Sequence, residues 1–122
     1  MNVKSYRDLL VWQKSMDLCV EVHTLTLLFP KHELFGLCSQ LNRAIVSVPS
    51  NIAEGHGRRT TADFIHFLSI SRGSLNEVET QLTLGMRYHY IPVEEHDLLL
   101  DQCGEVGRML NGLMDALERR NS

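Results

Sequence analysis

Four arginines in and around the stretch SVPSNIAEGHGRRT, residues 47–60, are the side chains of this sequence with the clearest chemical capacity. A guanidinium group can donate two parallel hydrogen bonds to one phosphate, so the candidates for contact with nucleic acid are Arg43, Arg58, Arg59 and Arg72. No aromatic residue alternates with these arginines to stack on bases. Any such patch must act locally, because the net charge of -3 makes the whole molecule repel phosphate.

The glycines of the same stretch do not form a phosphate-binding loop. That loop needs the spacing GxxxxGK[ST] after a strand, whereas this stretch has GxG, no lysine and no preceding strand pattern. Gly55 or Gly57 is instead predicted to end a helix in the left-handed conformation, and Thr60 with Asp63 resembles a capping box that opens the next helix. The stretch therefore predicts a corner between two helices.

Two pairs of side chains have the spacing of metal ligands on one helix face. Cys19 and His23 lie four residues apart, and Asp63 and His66 lie three apart. A di-iron bundle needs two ExxH pairs and two further glutamates facing inward, and the apolar stripes described below contain none. The sequence predicts no metal and no cofactor, and its three cysteines, Cys19, Cys38 and Cys103, are expected to be reduced and buried.

The composition is that of an ordinary globular chain. The 122 residues are 43% hydrophobic and 22% charged, which predicts one domain over residues 1–122 with a substantial core. No apolar run reaches the length of a membrane span, and the N-terminal segment lacks the apolar centre of a signal peptide. We expect a cytoplasmic protein without a membrane partner, and no small-molecule substrate is evident.

Apolar residues recur at alternating steps of four and three in four segments, as on helices that face a common core. In the first segment the repeat runs through Leu9, Trp12, Met16, Cys19 and His23. Short links containing Pro30, GHGRRTT and YIPVEEHD separate the segments, and short links make neighbouring helices antiparallel. The sequence predicts an all-α fold, an antiparallel up-down-up-down four-helix bundle, with the second helix kinked near Pro49.

The first helix carries a second stripe with the same spacing. It runs through Val11, Ser15, Leu18, Val22, Leu25 and Phe29. One interpretation is a wide face buried within the monomer. The other, favoured here, is a subunit interface formed by Val11, Leu18, Val22 and Leu25, because a long exposed apolar stripe is unusual on a soluble monomer.

The back of the second helix is polar and free of large apolar groups. Its stripe runs through Gly36, Gln40, Arg43, Ser47, Ser50 and Glu54. It is either a solvated face or a polar contact surface formed by Ser47, Ser50 and Glu54, on which Arg43 and Glu54 pair with a neighbour or a ligand.

Several blocks of the chain resemble a known family. LLVWQKSMDL, FPKHELFGLCSQLNRAIVSVPSNIAEGHGR, FLSISRGSLNEVETQL and EVGRMLNGLMDAL are similar to the bacterial four-helix-bundle proteins encoded by intervening sequences in 23S rRNA genes. Members of that family resemble the accessory protein of diversity-generating retroelements, a pentameric bundle that binds nucleic acid and a reverse transcriptase. The resemblance implies a pentameric homo-oligomer with an RNA or ribonucleoprotein partner, and names no activity.

One alternative would make the protein an enzyme. Arg59 and His66, in RTTADFIH, loosely match the R-x(4–6)-H signature of the HEPN ribonucleases, which cleave RNA without a metal where two subunits meet. General acid–base catalysis would need His66 at a solvent-accessible seam. The prediction is a non-enzymatic oligomeric scaffold for RNA or a ribonucleoprotein, with this ribonuclease as the alternative.

Overall fold

The computed structural model describes residues 4–121, and their regular structure is entirely helical. Four long helices follow one another: α1, Leu10–Thr26; α2, Leu37–His56; α3, Thr61–Arg87; and α4, Val93–Asn121. Two short 3-10 turns, Tyr6–Asp8 and Lys31–Glu33, precede α1 and α2. The predicted all-α fold with four helices is confirmed.

Successive helices pack side by side and run in opposite directions. Between α2 and α3, the side chain of Ser47 contacts that of Ser74, and the backbone of Gly55 lies against Phe67. Residues later in α2 therefore contact residues earlier in α3, as they do in antiparallel helices. Helix α1 completes the bundle by contacting both α2 and α4. The largest fully buried side chains come from all four helices: Leu18, Val22, Leu41, Ile45, Val48, Ile52, Leu68, Leu75, Val78, Leu82, Val106 and Leu110.

The second stripe of α1 lies inside the single chain, which corrects the predicted subunit interface. Val11, Leu18, Val22 and Leu25 are each at most 8% exposed and belong to the core cluster. Both stripes obey the helical period, so the packing of α1 against the neighbouring helices decides which of them is buried. The first stripe, predicted to be core, lies at the edge, with Met16 40% exposed.

Pro49 lies within α2, and the helix continues through it from Leu37 to His56. Proline has no N–H to donate to the carbonyl four residues earlier, which here is that of Ile45. The thiol of Cys19 on α1 donates to this carbonyl over 3.4 Å. The helix is therefore held together across the proline by a side chain from its neighbour, and a bend at Pro49 stays a prediction.

The corner between α2 and α3 is built differently from the prediction. Gly57 caps α2 with φ -79°, in the right-handed region, and among the described residues only His89, in the link between α3 and α4, has a positive φ, 66°. The capping interaction at the start of α3 is confirmed, since the hydroxyl of Thr60 accepts from the backbone N–H of Asp63 over 3.1 Å.

Candidate functional site

An apolar groove runs along the seam between α1 and α2. Its larger section, about 700 Å³, is lined by Cys19, Val20, His23, Leu34, Phe35, Cys38, Ser39, Asn42 and Val46. An adjoining section of about 370 Å³ is lined by Tyr6, Trp12, Met16, Cys19, Val46, Pro49, Ser50 and Ala53. Neither section is lined by an aspartate, glutamate, lysine or arginine, so its occupant must be apolar.

Large apolar side chains stand exposed along this groove. Phe35 is 93% exposed, Val20 66% and Val46 53%. The first stripe of α1 contributes here as well, because Trp12, Met16, Cys19 and His23 all line the groove. The sequence therefore identified two apolar arcs on α1, of which the second is buried in the core and the first lies along the groove.

Two thiols form hydrogen bonds between α1 and α2, one in each direction. Cys19 on α1 donates to the carbonyl of Ile45 on α2, and Cys38 on α2 donates to the carbonyl of Thr26 on α1, each over 3.4 Å. Desolvation raises the pKa of Cys19 to about 11, so this thiol keeps its proton and remains a donor at neutral pH. Cys103, buried in the core, has its pKa raised to about 12, chiefly by desolvation.

The two pairs with the spacing of metal ligands, Cys19 with His23 and Asp63 with His66, lie in different surroundings. Among residues 4–121, no group of three or more histidine, cysteine, aspartate or glutamate side chains could hold a metal ion. His23 lies exposed at the rim of the groove, and His66 packs edge-on against Phe67 with the ring centroids 5.6 Å apart.

The four predicted arginines lie at separate places. Arg58, at the α2–α3 corner, pairs with Glu54 over 2.7 Å and stacks 4.7 Å above the Phe67 ring. Arg59 beside it and Arg43 in the middle of α2 are exposed, and neither makes an ion pair with a described residue. Arg72 lies half-buried on α3 and donates to the side chain of Asn76 over 2.7 Å.

The predicted polar face of α2 is divided between two surroundings. Ser47 turns toward α3, where its hydroxyl lies 2.8 Å from that of Ser74 and accepts from Asn51 over 2.9 Å. Ser50 and Glu54 are exposed, and Ser50 lines the second section of the groove. Glu54 pairs with Arg58 of the same chain over 2.7 Å, and a contact of this face with an outside group stays a prediction.

The ribonuclease pair is not organised as a catalytic site within one chain. Arg59 lies in the corner and His66 on the second turn of α3, both exposed. Among the described residues, no hydrogen bond or ion pair joins their side chains, and His66 contacts only the ring of Phe67. A base and its orienting group would have to come from elsewhere.

A polar cluster of Glu33, Leu37 and Tyr90 lies at the end of the bundle and was not predicted from the sequence. One carboxylate oxygen of Glu33 accepts from the backbone N–H of Leu37 over 3.1 Å, and the other accepts from the Tyr90 hydroxyl over 2.9 Å. These hydrogen bonds lower the pKa of Glu33, and the one from Leu37 has the larger effect. The cluster ties the α1–α2 link to the α3–α4 link, 57 residues away, and no local spacing signals such a contact.

Known proteins resemble the chain both in sequence and in shape. The sequence profile of the 23S rRNA-intervening sequence protein family matches residues 7–112. A solved structure with similar architecture is a protein of unknown function from the S23 ribosomal protein family of Bacteroides thetaiotaomicron. The two sequences are 27% identical, and the two structures superpose with a TM-score of 0.80. The match covers 86% of this chain and 95% of that one. No curated protein matches significantly, and no described helix is long and apolar enough to cross a membrane.

Proposed function

The chain belongs to the 23S rRNA-intervening sequence protein family, and from this we propose that it is a non-enzymatic, homo-oligomeric four-helix-bundle scaffold that contacts RNA or a ribonucleoprotein. The similar solved structure is itself a protein of unknown function, so the support must come from the surface of this chain.

The observation that carries the proposal is the groove between α1 and α2. Soluble monomers rarely expose large contiguous apolar patches, and those that occur mark interaction sites. A groove without charged lining does not suit a phosphate backbone, so a protein surface is its natural occupant. A second copy of this chain supplies one, because the exposed Phe35, Leu34 and Val20 of each copy offer the apolar side chains that the groove of another would cover.

Assembly through the groove is tested by light scattering on a matched pair of variants. Val46→Glu places a charge in the groove, at a side chain 53% exposed, while Val93→Glu places the same charge on the first turn of α4, at a side chain 55% exposed. We expect Val46→Glu to give smaller species and Val93→Glu to keep the native mass, because a charge buried in an apolar contact is strongly unfavourable. A monomeric native protein would refute the proposal, and a mass of five chains would match the pentamer implied by resemblance.

The ribonuclease remains the second candidate and has a direct test. Arg59 and His66 are both exposed, and within the described residues neither side chain has a hydrogen bond to a general base or acid, so we expect no metal-independent RNA cleavage. The His66→Ala variant should behave as the native protein does. Cleavage by the native protein that is lost in this variant would replace the scaffold with an enzyme.

A further inference from the structure

The turn at residues 33–37, between α1 and α2, exposes two large apolar side chains at the rim of the groove. Phe35 is 93% exposed and Leu34 57%, and both line the larger section of the groove. Neither belongs to the core cluster, and the ring of Phe35 contacts no other ring or cation among the described residues. Burying an aromatic ring removes a large apolar surface from water, so Phe35 is a candidate anchor for an interface.

Glu33 holds this turn in one conformation. One of its carboxylate oxygens accepts from the backbone N–H of Leu37 over 3.1 Å, and its backbone carbonyl accepts from the N–H of Gly36 over 3.0 Å. The carboxylate fits closely against Gly36, where a built Cβ would lie 2.7 Å from Oε1 of Glu33. Both hydrogen bonds enclose Phe35, so its ring projects from a constrained backbone.

Tyr90 ties the turn to the core of the bundle. Its hydroxyl donates to the second carboxylate oxygen of Glu33 over 2.9 Å. The ring of Tyr90 packs against the buried Phe29, with the ring centroids 5.3 Å apart. The direction in which the turn presents Phe35 therefore depends on a residue of the α3–α4 link.

Each chain carries both an exposed ring and a groove that this ring leaves empty. The larger section of the groove is about 700 Å³ and has no charged lining, and cavities of this size commonly bury apolar groups. Phe35 does not fill the groove of its own chain, since 93% of its surface is exposed. A second copy supplies a ring to this groove and a groove to this ring. A side chain that is fixed before binding loses less conformational entropy when it binds.

We infer that Glu33 and Tyr90 are positioning residues for assembly, because they hold Phe35 of each copy in the direction in which it enters the α1–α2 groove of a second copy. This role rests on the assembly proposed above and adds the residues that tune it. Glu33 and Tyr90 lie 57 positions apart, so no local spacing in the sequence signals their joint effect on Phe35.

The first test is light scattering over a dilution series, which gives the concentration at which half of the chains are assembled. Tyr90→Phe keeps the ring and removes the hydroxyl, and it should raise this concentration roughly two- to tenfold. Glu33→Ala removes both side-chain acceptors and should raise it at least as much. The control is Thr60→Ala, which removes the capping hydrogen bond to Asp63 at the α2–α3 corner. It should lower the thermal midpoint and leave assembly unchanged. Equal shifts in Tyr90→Phe and Thr60→Ala would overturn the positioning role, because assembly would then follow overall stability.

The second test is photo-crosslinking from position 35. Phe35→p-benzoylphenylalanine should join two chains on irradiation, with the linked peptide containing Val20 or Val46 of the groove. The same substitution at Leu28, which is 72% exposed and lines neither section of the groove, should give far fewer cross-links. An oligomeric protein whose position 35 reaches no groove residue of another chain would overturn the positioning role and leave the scaffold standing. A monomeric native protein would overturn the assembly itself.

Discussion

The thiol of Cys19 on α1 donates over 3.4 Å to the carbonyl of Ile45 on α2, the one carbonyl that Pro49 leaves without its helical donor. Ile45 is fully buried, so water cannot supply the missing hydrogen bond. An unsatisfied buried carbonyl costs about 1–3 kcal/mol. The position of α1 in the bundle and the proline in α2 are therefore energetically linked.

This link predicts a coupling between two substitutions. Cys19→Ala should lower the free energy of unfolding by about 1 kcal/mol more when residue 49 is proline than in a Pro49→Ala background. In that background the alanine N–H can donate to Ile45 itself. Denaturant unfolding of the four proteins of the cycle measures the coupling. Additive effects would show that the thiol is only a packing group.

The four helices could be predicted from the sequence because their signals are local. Apolar spacing, Pro30 and the pair of Thr60 with Asp63 lie within the segments they define. The sequence could not tell which stripe of α1 faces inward, because both have the same period and differ only by a rotation about the helix axis. That choice depends on the neighbouring helices.

The candidate sites were predicted less well for the same reason. The spacing on α2 predicts an outer face for Ser47, whose hydroxyl instead meets that of Ser74, and Arg72, a candidate together with the corner arginines, lies against Gly107 on α4. Each of these contacts depends on the register between two helices, which no spacing within one helix encodes.

Gly55 is predicted to be necessary for the crossing of α2 and α3. A Cβ at this position would lie 2.6 Å from the Cβ of Phe67, closer than the two atoms can approach. Gly55→Ala should therefore lower the free energy of unfolding by about 1–3 kcal/mol, even though alanine is the better helix former. Thermal unfolding of this variant measures the effect.

Gly73→Ala is the matched control for that experiment. It also lies within a helix, α3, but nothing lies within 4 Å of its built Cβ. Here the helix preference acts alone, and stability should rise by up to about 1 kcal/mol. If both variants gained stability, the close approach of the two helices at Gly55 would be refuted.

The hydrogen bonds of Glu33 are predicted to make the free energy of unfolding depend on pH. Its pKa is lowered from 4.5 in the folded chain, first by the hydrogen bond from Leu37 and then by that from Tyr90. A lowered carboxylate pKa stabilises the fold above the unfolded value and loses that contribution as pH falls through the folded value. The difference in thermal midpoint between native protein and Glu33→Gln should be constant near neutral pH and shrink below about pH 4.5.

Tyr90→Phe provides the companion measurement for this cluster. The variant removes the hydroxyl that donates to Glu33 over 2.9 Å and leaves the ring packed near Phe29. The pKa of Glu33, followed by NMR titration, should rise toward its usual range but stay below it, because Leu37 still donates. An unchanged pKa would mean that the Tyr90 hydroxyl does not hold the carboxylate.

The two arginines of the α2–α3 corner are predicted to differ in any contact with RNA. Arg58 is held by Glu54 over 2.7 Å and by the face of Phe67, whereas Arg59 is exposed and makes no ion pair with a described residue. The carboxylate of Glu54 offsets the charge of Arg58 and occupies one of its N–H donors, so Arg58 attracts a phosphate less strongly than Arg59 does. Arg59→Gln should therefore flatten the salt dependence of RNA binding, by about 0.7 for one contact to a single strand, and Arg58→Gln should change it less.

In an oligomer each arginine is repeated in every subunit, so even a weak contact becomes measurable by titration at low salt. Equal binding by native protein and both variants would leave these arginines as solvated ends of the helices.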